Sequence, residues 1–306
     1  MTHLADQLRS GSLTLWLEVA PPRGVNTQSL LERLSVLKGH VDAINLTDNA
    51  LGKVKMSALV FASIVQRELG IPTVLNFSCR DRNLLALKAD LLGAGAIGVA
   101  AVVALTGDKL VPATSPDGAP SPKAVHDVDA IGLLKIIAEL NRGEIGEVKP
   151  LKSPPKLLAG AVANPNRKDL SRELDLLARK VEAGAQFVMT QPVFDYDTAA
   201  SFAARAKTVG VPVILGILPI KRAQMAQYIA TKIKDLASAR SYLESYALLD
   251  PEQARARSIE HNLELMTRLA SEVAGFNIMS GGGPSLAIEL ALKFNALRRN
   301  FERKSD

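Results

Sequence analysis

Three polar side chains stand where apolar runs end, and each suits work on a flat, hydrogen-bonding ring. Glu18 lies in WLEVAPP (16–22), a carboxyl between apolar neighbours. Desolvation in such a setting raises a carboxyl pKa and equips it to donate a proton near neutral pH. Pairing with a cation such as Arg80 is the competing reading. Asp108 closes ALTGD (104–108), where Gly107 lets backbone approach a ligand. Its carboxylate can accept bonds from a ring N–H or orient a charged intermediate, with helix N-capping as the alternative. Gln191 carries donor and acceptor on one amide, matched to a heterocycle with alternating N–H and C=O edges, and Pro192 holds it extended. A bond to loop backbone would use the same amide.

Further polar groups gather at other run ends: Thr47, Asp48 and Asn49; Ser78, Arg80 and Asp81; Thr106; Asn164; Thr190. GAGAIG (93–98) satisfies the dinucleotide pattern but closes a helix and enters a strand, whereas pyrophosphate binding needs the opposite polarity. GGGPS (281–285) has the right polarity to offer backbone N–H groups to phosphate, although a plain strand–helix turn is the better reading. His3, His40, His126 and His261 lack metal-ligand spacing, so no metal is expected. No Ser-His-Asp arrangement or P-loop stands out.

Positioning these groups falls to eight short apolar runs: Leu13 to Ala20, Ala43 to Thr47, Thr73 to Cys79, Gly98 to Leu105, Leu157 to Ala163, Phe187 to Gln191, Val211 to Ile217 and Phe276 to Met279. Near-continuous hydrophobicity fits strands buried on both faces. Helical patterns fill the gaps, among them Asp81 to Leu92, Val128 to Leu140, Asp169 to Ala183 and Thr198 to Ala206, with Gly184, Gly210 and Gly275 as helix stops. The alternation predicts an α/β protein, a (β/α)8 TIM barrel spanning 1–306 as one domain, with extra helices from Ala223 to Ala270 before the last strand. A doubly wound open sheet shares this periodicity and is the competitor. A barrel would bring the polar run ends around one mouth. The proline-rich Lys109 to Lys123 follows strand four on that side and reads as a candidate lid, whereas Gly143 to Pro155 reads as an irregular connection on the opposite face.

Composition narrows the function classes. With 47% hydrophobic and 22% charged residues, the chain can fill a large core, which excludes disorder over most of its length. Apolar stretches such as Ile97 to Leu105 fall well short of the ~20 residues a bilayer requires, so no membrane partner is expected. Met1 to Leu13 has no apolar signal core, and the lone Cys79 cannot form an internal disulfide, so a cytoplasmic location is expected. The net charge of +6 favours acidic ligands such as phosphates or a glutamate tail. Arg298, Arg299, Arg303 and Lys304, interrupted by Glu302 and Asp306, read as a solvated helix end, and 4% aromatics offers few stacking platforms, so no nucleic-acid partner is expected.

Together these stretches resemble the methylenetetrahydrofolate reductase family, from about Leu15 to Leu218 and more loosely to the C-terminus. The resemblance is carried by FSCRDRN (77–83), ALTGD (104–108), KVEAGA (180–185), TQPVFD (190–195) and GILP (216–219), in that order. It implies a flavin-dependent barrel that reduces 5,10-methylenetetrahydrofolate to 5-methyltetrahydrofolate with NADH or NADPH. It further implies catalytic roles for Glu18, as the acid that protonates the folate, and for Asp108, beside flavin and pterin. Gln191 and Thr190 would bind the folate, and Thr47, Asn76, Thr106, Gly107, Asp108, Lys180 and Ala185 the cofactor, with FAD expected and FMN or no flavin as alternatives. Three positions depart from the family pattern: Asn76 replaces a histidine, Thr106 an arginine, and Ala223 an aromatic. They leave room for a flavin-independent or partner-dependent reductase, or for a folate-binding subunit without redox activity. A homo-oligomer or a redox partner protein is compatible with each.

Overall fold

The computed structural model describes residues 3–110, 122–146, 149–232, 239–281 and 283–302. Eight strands close into a parallel barrel in chain order, the last pairing with the first. They are β1 (Thr14–Val19), β2 (Ala43–Leu46), β3 (Thr73–Ser78), β4 (Ala101–Leu105), β5 (Ala159–Ala163), β6 (Phe187–Val193), β7 (Val213–Ile217) and β8 (Gly275–Met279). Helix α1 (His3–Ser10) precedes them, and α2 (Gln28–Ser35), α3 (Ala58–Leu69), α4 (Leu84–Ala96), α5 (Ala130–Asn141), α6 (Leu170–Glu182) and α7 (Tyr196–Thr208) fill successive crossovers. Three helices, α8 (Ala223–Lys232), α9 (Arg240–Glu244) and α10 (Pro251–Leu269), lie between β7 and β8, and α11 (Ser285–Glu302) follows. The barrel reading holds, and closure rules out the open sheet.

Alternation along the strands sorts the core into two shells. Leu15, Leu17 and Val19 of β1 pack outward into the helix layer. Trp16 instead joins Ala43, Val74, Val103, Phe187 and Ile214 in a separate interior cluster. Leu4, Ala5 and Leu8 of α1 belong to that interior cluster, so the first helix plugs the barrel's lower end. The Leu4/Leu8 spacing, one helical turn apart, was the available sign of this helix in the sequence. Inside, Trp16 meets Phe187 edge to face at 5.4 Å. Gly160 on the neighbouring strand makes room for that ring, because a Cβ there would stand 2.2 Å from it.

Element ends differ from the sequence reading for local reasons. The helix expected from Asp81 begins at Leu84, since Arg80, Asp81 and Arg82 are held in ion pairs and Asn83 caps Ala86 N. Strand β4 starts at Ala101 rather than Gly98, whose φ of +71° still belongs to the turn. Gly275 is the first residue of β8 and does not stop a helix; a Cβ there would lie 2.5 Å from the Thr14 carbonyl oxygen. Its role is close strand approach. Between α5 and β5 the described part of Gly143 to Pro155 forms no helix or strand, whereas residues 111–121 of the expected lid, and 303–306 of the basic tail, lie outside the described residues. The α8–α10 insertion forms a satellite core over the β6 and β7 ends, with Tyr242 stacked on His261 at 4.0 Å and His261 Nε2 bonded to the Phe194 carbonyl.

Gly160→Ala should push Phe187 off Trp16 and cost about 1–3 kcal/mol of stability, the range for overpacking a filled core. Thermal unfolding followed through fluorescence of Trp16, the single tryptophan, measures this; an unchanged Tm would refute the packing account.

Candidate active site

Inward alternation places one further residue per strand above the packed layer, and there the lining turns polar. Glu18 stands two residues above Trp16, Asn76 above Val74, and Gln191 above Met189. With Thr47, Thr106, Gly107, Asp108 and Thr190 they line a cavity of about 420 Å³ at the C-terminal ends of the strands. Chain-distant groups thus share one wall.

Glu18 is partly exposed to this cavity. Burial pushes its carboxyl up to about 7, with a side-chain bond from Asn277 acting in the opposite direction. The Asn277 amide lies 3.4 Å from Glu18 Oε2, and Asn45 donates to Asn277 Oδ1 at 3.3 Å. The expected alternative, a Glu18–Arg80 pair, is not formed. Arg80 is spent on Asp81, with both bonds at 2.6 Å.

Arg80 has a second task. Its guanidinium, almost wholly buried, also donates to the carbonyls of Asn49 at 3.1 Å and Asp108 at 3.3 Å. It therefore joins the loops after β2 and β4. The β2 loop holds two non-glycine residues in the left-handed region, Asn49 (φ 43°) and Leu51 (φ 57°), a costly conformation that neighbouring contacts must maintain. Leu51 N–H donates to Asp108 Oδ2 at 2.7 Å, so Asp108 does not cap a helix; Asp129 caps α5. Arg82 braces the same corner through Asp48 at 2.6 Å and Asp90 at 2.9 Å. Gly107 is required beneath: a Cβ would meet Ser78 Oγ at 2.3 Å, and its φ of +98° disfavours any side chain.

On β6, the residues Met189 to Pro192 face Ile214 to Gly216 of β7, so β6 carries one extra residue. This bulge leaves Gln191 exposed at the mouth, with no side-chain bond to another described residue. Thr190 is buried beside it and accepts from Gly216 N at 2.9 Å, so its oxygen also serves the β6–β7 junction.

An adjoining cavity of about 460 Å³ shares Thr106 and Gln191 with the first and extends to Lys180. Burial lowers the Lys180 ammonium below the usual lysine range, opposed by Glu173 and Asp129; its Nζ donates to the Val162 carbonyl at 2.6 Å. Thr106 accepts from Ala130 N at 3.3 Å at the junction of the two cavities. Two sequence-derived positions lie elsewhere. Ala185 is buried in the turn before β6, at the closed lower end, because KVEAGA forms a helix end and strand entry. Ala223 begins α8 and lines a separate surface groove. Asn45, Asn277, Met189 and Met279 were missed by the sequence reading; asparagine inside the apolar strands AINL and FNIM was the available signal.

Two polar groups on this wall lack protein partners. Thr47 Oγ1 is buried without a hydrogen-bond partner, and the Asn76 amide makes no bond to another described residue. Among the described residues no cluster of three or more His, Cys, Asp or Glu could hold a metal. Nor is any described helix long and apolar enough to cross a membrane.

Residues 3–280 match the family model described as methylenetetrahydrofolate reductase. A Caenorhabditis elegans relative, "Probable methylenetetrahydrofolate reductase (NADPH)", is 28% identical over 265 residues, covering 83% of this chain but only 37% of the relative. The Salmonella typhimurium 5,10-methylenetetrahydrofolate reductase is 27% identical over 236 residues, 75% of this chain and 71% of that one. The Arabidopsis thaliana "Methylenetetrahydrofolate reductase (NADH) 1" is 23% identical and covers 90% of this chain and 47% of its own length. This chain therefore spans well under half of the nematode relative and about half of the plant one. A solved Clostridium thermocellum protein that binds two copies of 5-methyl-5,6,7,8-tetrahydrofolic acid superposes with TM-score 0.63 at 17% identity, covering 97% of this chain and 99% of that chain. At that identity the likeness concerns the fold.

Stability should carry the signature of Glu18. Its folded pKa of about 7 exceeds the ordinary 4.5, so its contribution is fully favourable below about 4.5 and is lost as pH rises through about 7. Glu18→Gln should gain roughly 1–3 kcal/mol relative to the parent between pH 4 and pH 8, discounting for the cavity's solvent. Denaturant unfolding at the two pH values measures the difference, and parallel stability curves would sink the assignment.

Proposed function

This chain belongs to the methylenetetrahydrofolate reductase family, and from that premise we propose that it reduces 5,10-methylenetetrahydrofolate to 5-methyltetrahydrofolate with electrons from NADH or NADPH. The observation that carries the reading is the convergence of Glu18, Asp108 and Gln191 on one cavity wall, with the carboxyl of Glu18 pushed up to about 7. A group titrating there is poised to give up a proton at neutral pH.

Glu18 donates its proton to the amine nitrogen that departs when the methylene bridge opens. The bridging carbon is left as an iminium, and an incoming hydride converts it to the methyl group. Asp108, held by Leu51 N–H, places a negative charge beside that cation. Gln191, exposed by the bulge, offers its amide to the pterin edge, with Thr190 behind it. The packed layer below closes the cavity floor to water.

The residues present fit a flavin. Thr47 Oγ1 is an unpartnered buried group, Asn76 offers a free amide, and Gly107 brings backbone close beside Asp108. These residues would hold the ring, while Lys180 in the adjoining cavity would serve the phosphates of FAD. The chemistry a bound flavin supplies is hydride carriage between nicotinamide and folate. Thr106, exposed where the family pattern has arginine, favours a second reading in which flavin is weakly held or absent and a partner protein supplies the electrons. We place the activity in the cytoplasm, in keeping with the unpaired, buried Cys79.

An absorption spectrum of the purified protein separates these readings. Yellow protein that bleaches with NADH or NADPH under anaerobic conditions and recovers with methylenetetrahydrofolate is expected; colourless protein with turnover would select the flavin-free reading. Glu18→Gln should retain nicotinamide oxidation with an artificial acceptor and lose folate reduction by about 100-fold or more, the span of a general acid. Equal loss of both half-reactions in folded protein would remove Glu18 from the acid role.

A further inference from the structure

The barrel interior contains two asparagines that the proposed chemistry does not use. Asn45 of β2 and Asn277 of β8 are both fully buried, and they flank β1 on its two sides. Within an otherwise apolar interior, each such amide has a desolvation cost that bonding must offset. Their bonds form a directed chain: Asn45 Nδ2 donates to Asn277 Oδ1, and Asn277 Nδ2 donates to Glu18 Oε2. Fixing the Asn277 carbonyl toward Asn45 leaves its N–H groups facing the acid. Asn45 also lies 3.5 Å from Met189 Sδ, which ties the chain to β6.

We infer that Asn277, oriented by Asn45, is a positioning residue that holds the Glu18 carboxyl toward the cavity and sets the pH at which it releases its proton. The inference rests on the reading of Glu18 as the acid. An amide N–H favours the ionised carboxylate, so this contact opposes burial and keeps Glu18 able to cycle between its two forms. The other groups around Glu18 leave this role to Asn277. From β2 and the residue that follows it come Asn45 and Thr47, from β8 Met279, and from β3 and β6 Asn76, Met189 and Gln191, all uncharged. The charged groups on the cavity rim have partners of their own: Asp48 with Arg82, Arg80 with Asp81, and Asp108 with Leu51 N–H.

The test reads protonation directly. In infrared difference titration, the carboxylic C=O band lost in Glu18→Gln identifies Glu18 in the parent. Asn277→Leu should move its midpoint upward by about half a pH unit or more, and Asn45→Val by less in the same direction. The basic limb of folate reduction should move with it, whereas a merely structural asparagine would lower the rate at every pH alike. An unmoved midpoint in folded Asn277→Leu overturns the inference. The unmutated protein provides a measurement independent of folding defects: the Asn277 side-chain 15N–1H signal should titrate with the Glu18 midpoint between about pH 5 and pH 9. A flat amide signal overturns the inference. Both spectroscopic readouts work without turnover, so a failure of the folate reading alone leaves them interpretable.

Discussion

The packed interior of the barrel stops one layer below the strand ends, and that boundary governs the site. Up to the level of Trp16, Val103 and Phe187 the inward side chains are buried against one another, with Gly160 giving way to the Phe187 ring. Above it the same alternation presents Glu18, Asn76 and Gln191. A carboxyl on this boundary loses much of its hydration yet keeps an opening to the cavity. Its affinity for a proton therefore rises without removing it from reach of a ligand.

Holding the mouth open requires fixed charges that neutralise one another. Arg80 and Arg82 come from one short turn after β3, and between them they bind Asp81, Asp48, Asp90 and two loop carbonyls. Losing Asp81 would leave the buried Arg80 charge without a counter-ion, which is far more disruptive than the pair is stabilising. The arrangement maintains two left-handed residues in the β2 loop and presents Leu51 N–H to Asp108. Loop geometry and carboxylate position are consequently one coupled property.

The approximate place of each strand was legible in the sequence because a strand buried on both faces must be apolar throughout, whereas the strand order came only with closure of the ring. The residues at the strand ends were legible for the complementary reason: polarity resumes where burial ends, which marked Glu18, Asp108 and Gln191. Less legible were positions whose meaning depends on a neighbour far along the chain. Gly275 looked like a helix stop, and only the approach of Thr14 gives its purpose. KVEAGA marked Lys180 and Ala185 alike, yet the helix carries the lysine to a cavity while the alanine turns into the closed end.

Local hydrophobic pattern sets the alternation of strand and helix, and hence which residues end a strand. Which groups became partners depended on the closed fold. Arg80 chose Asp81 over Glu18, the β6 bulge exposed Gln191 while Thr190 turned to Gly216, and Asn45 and Asn277 met beneath Glu18. Closing the ring is the physical reason: it brings β8 against β1 and fixes, for each buried polar atom, which distant group lies within bonding distance.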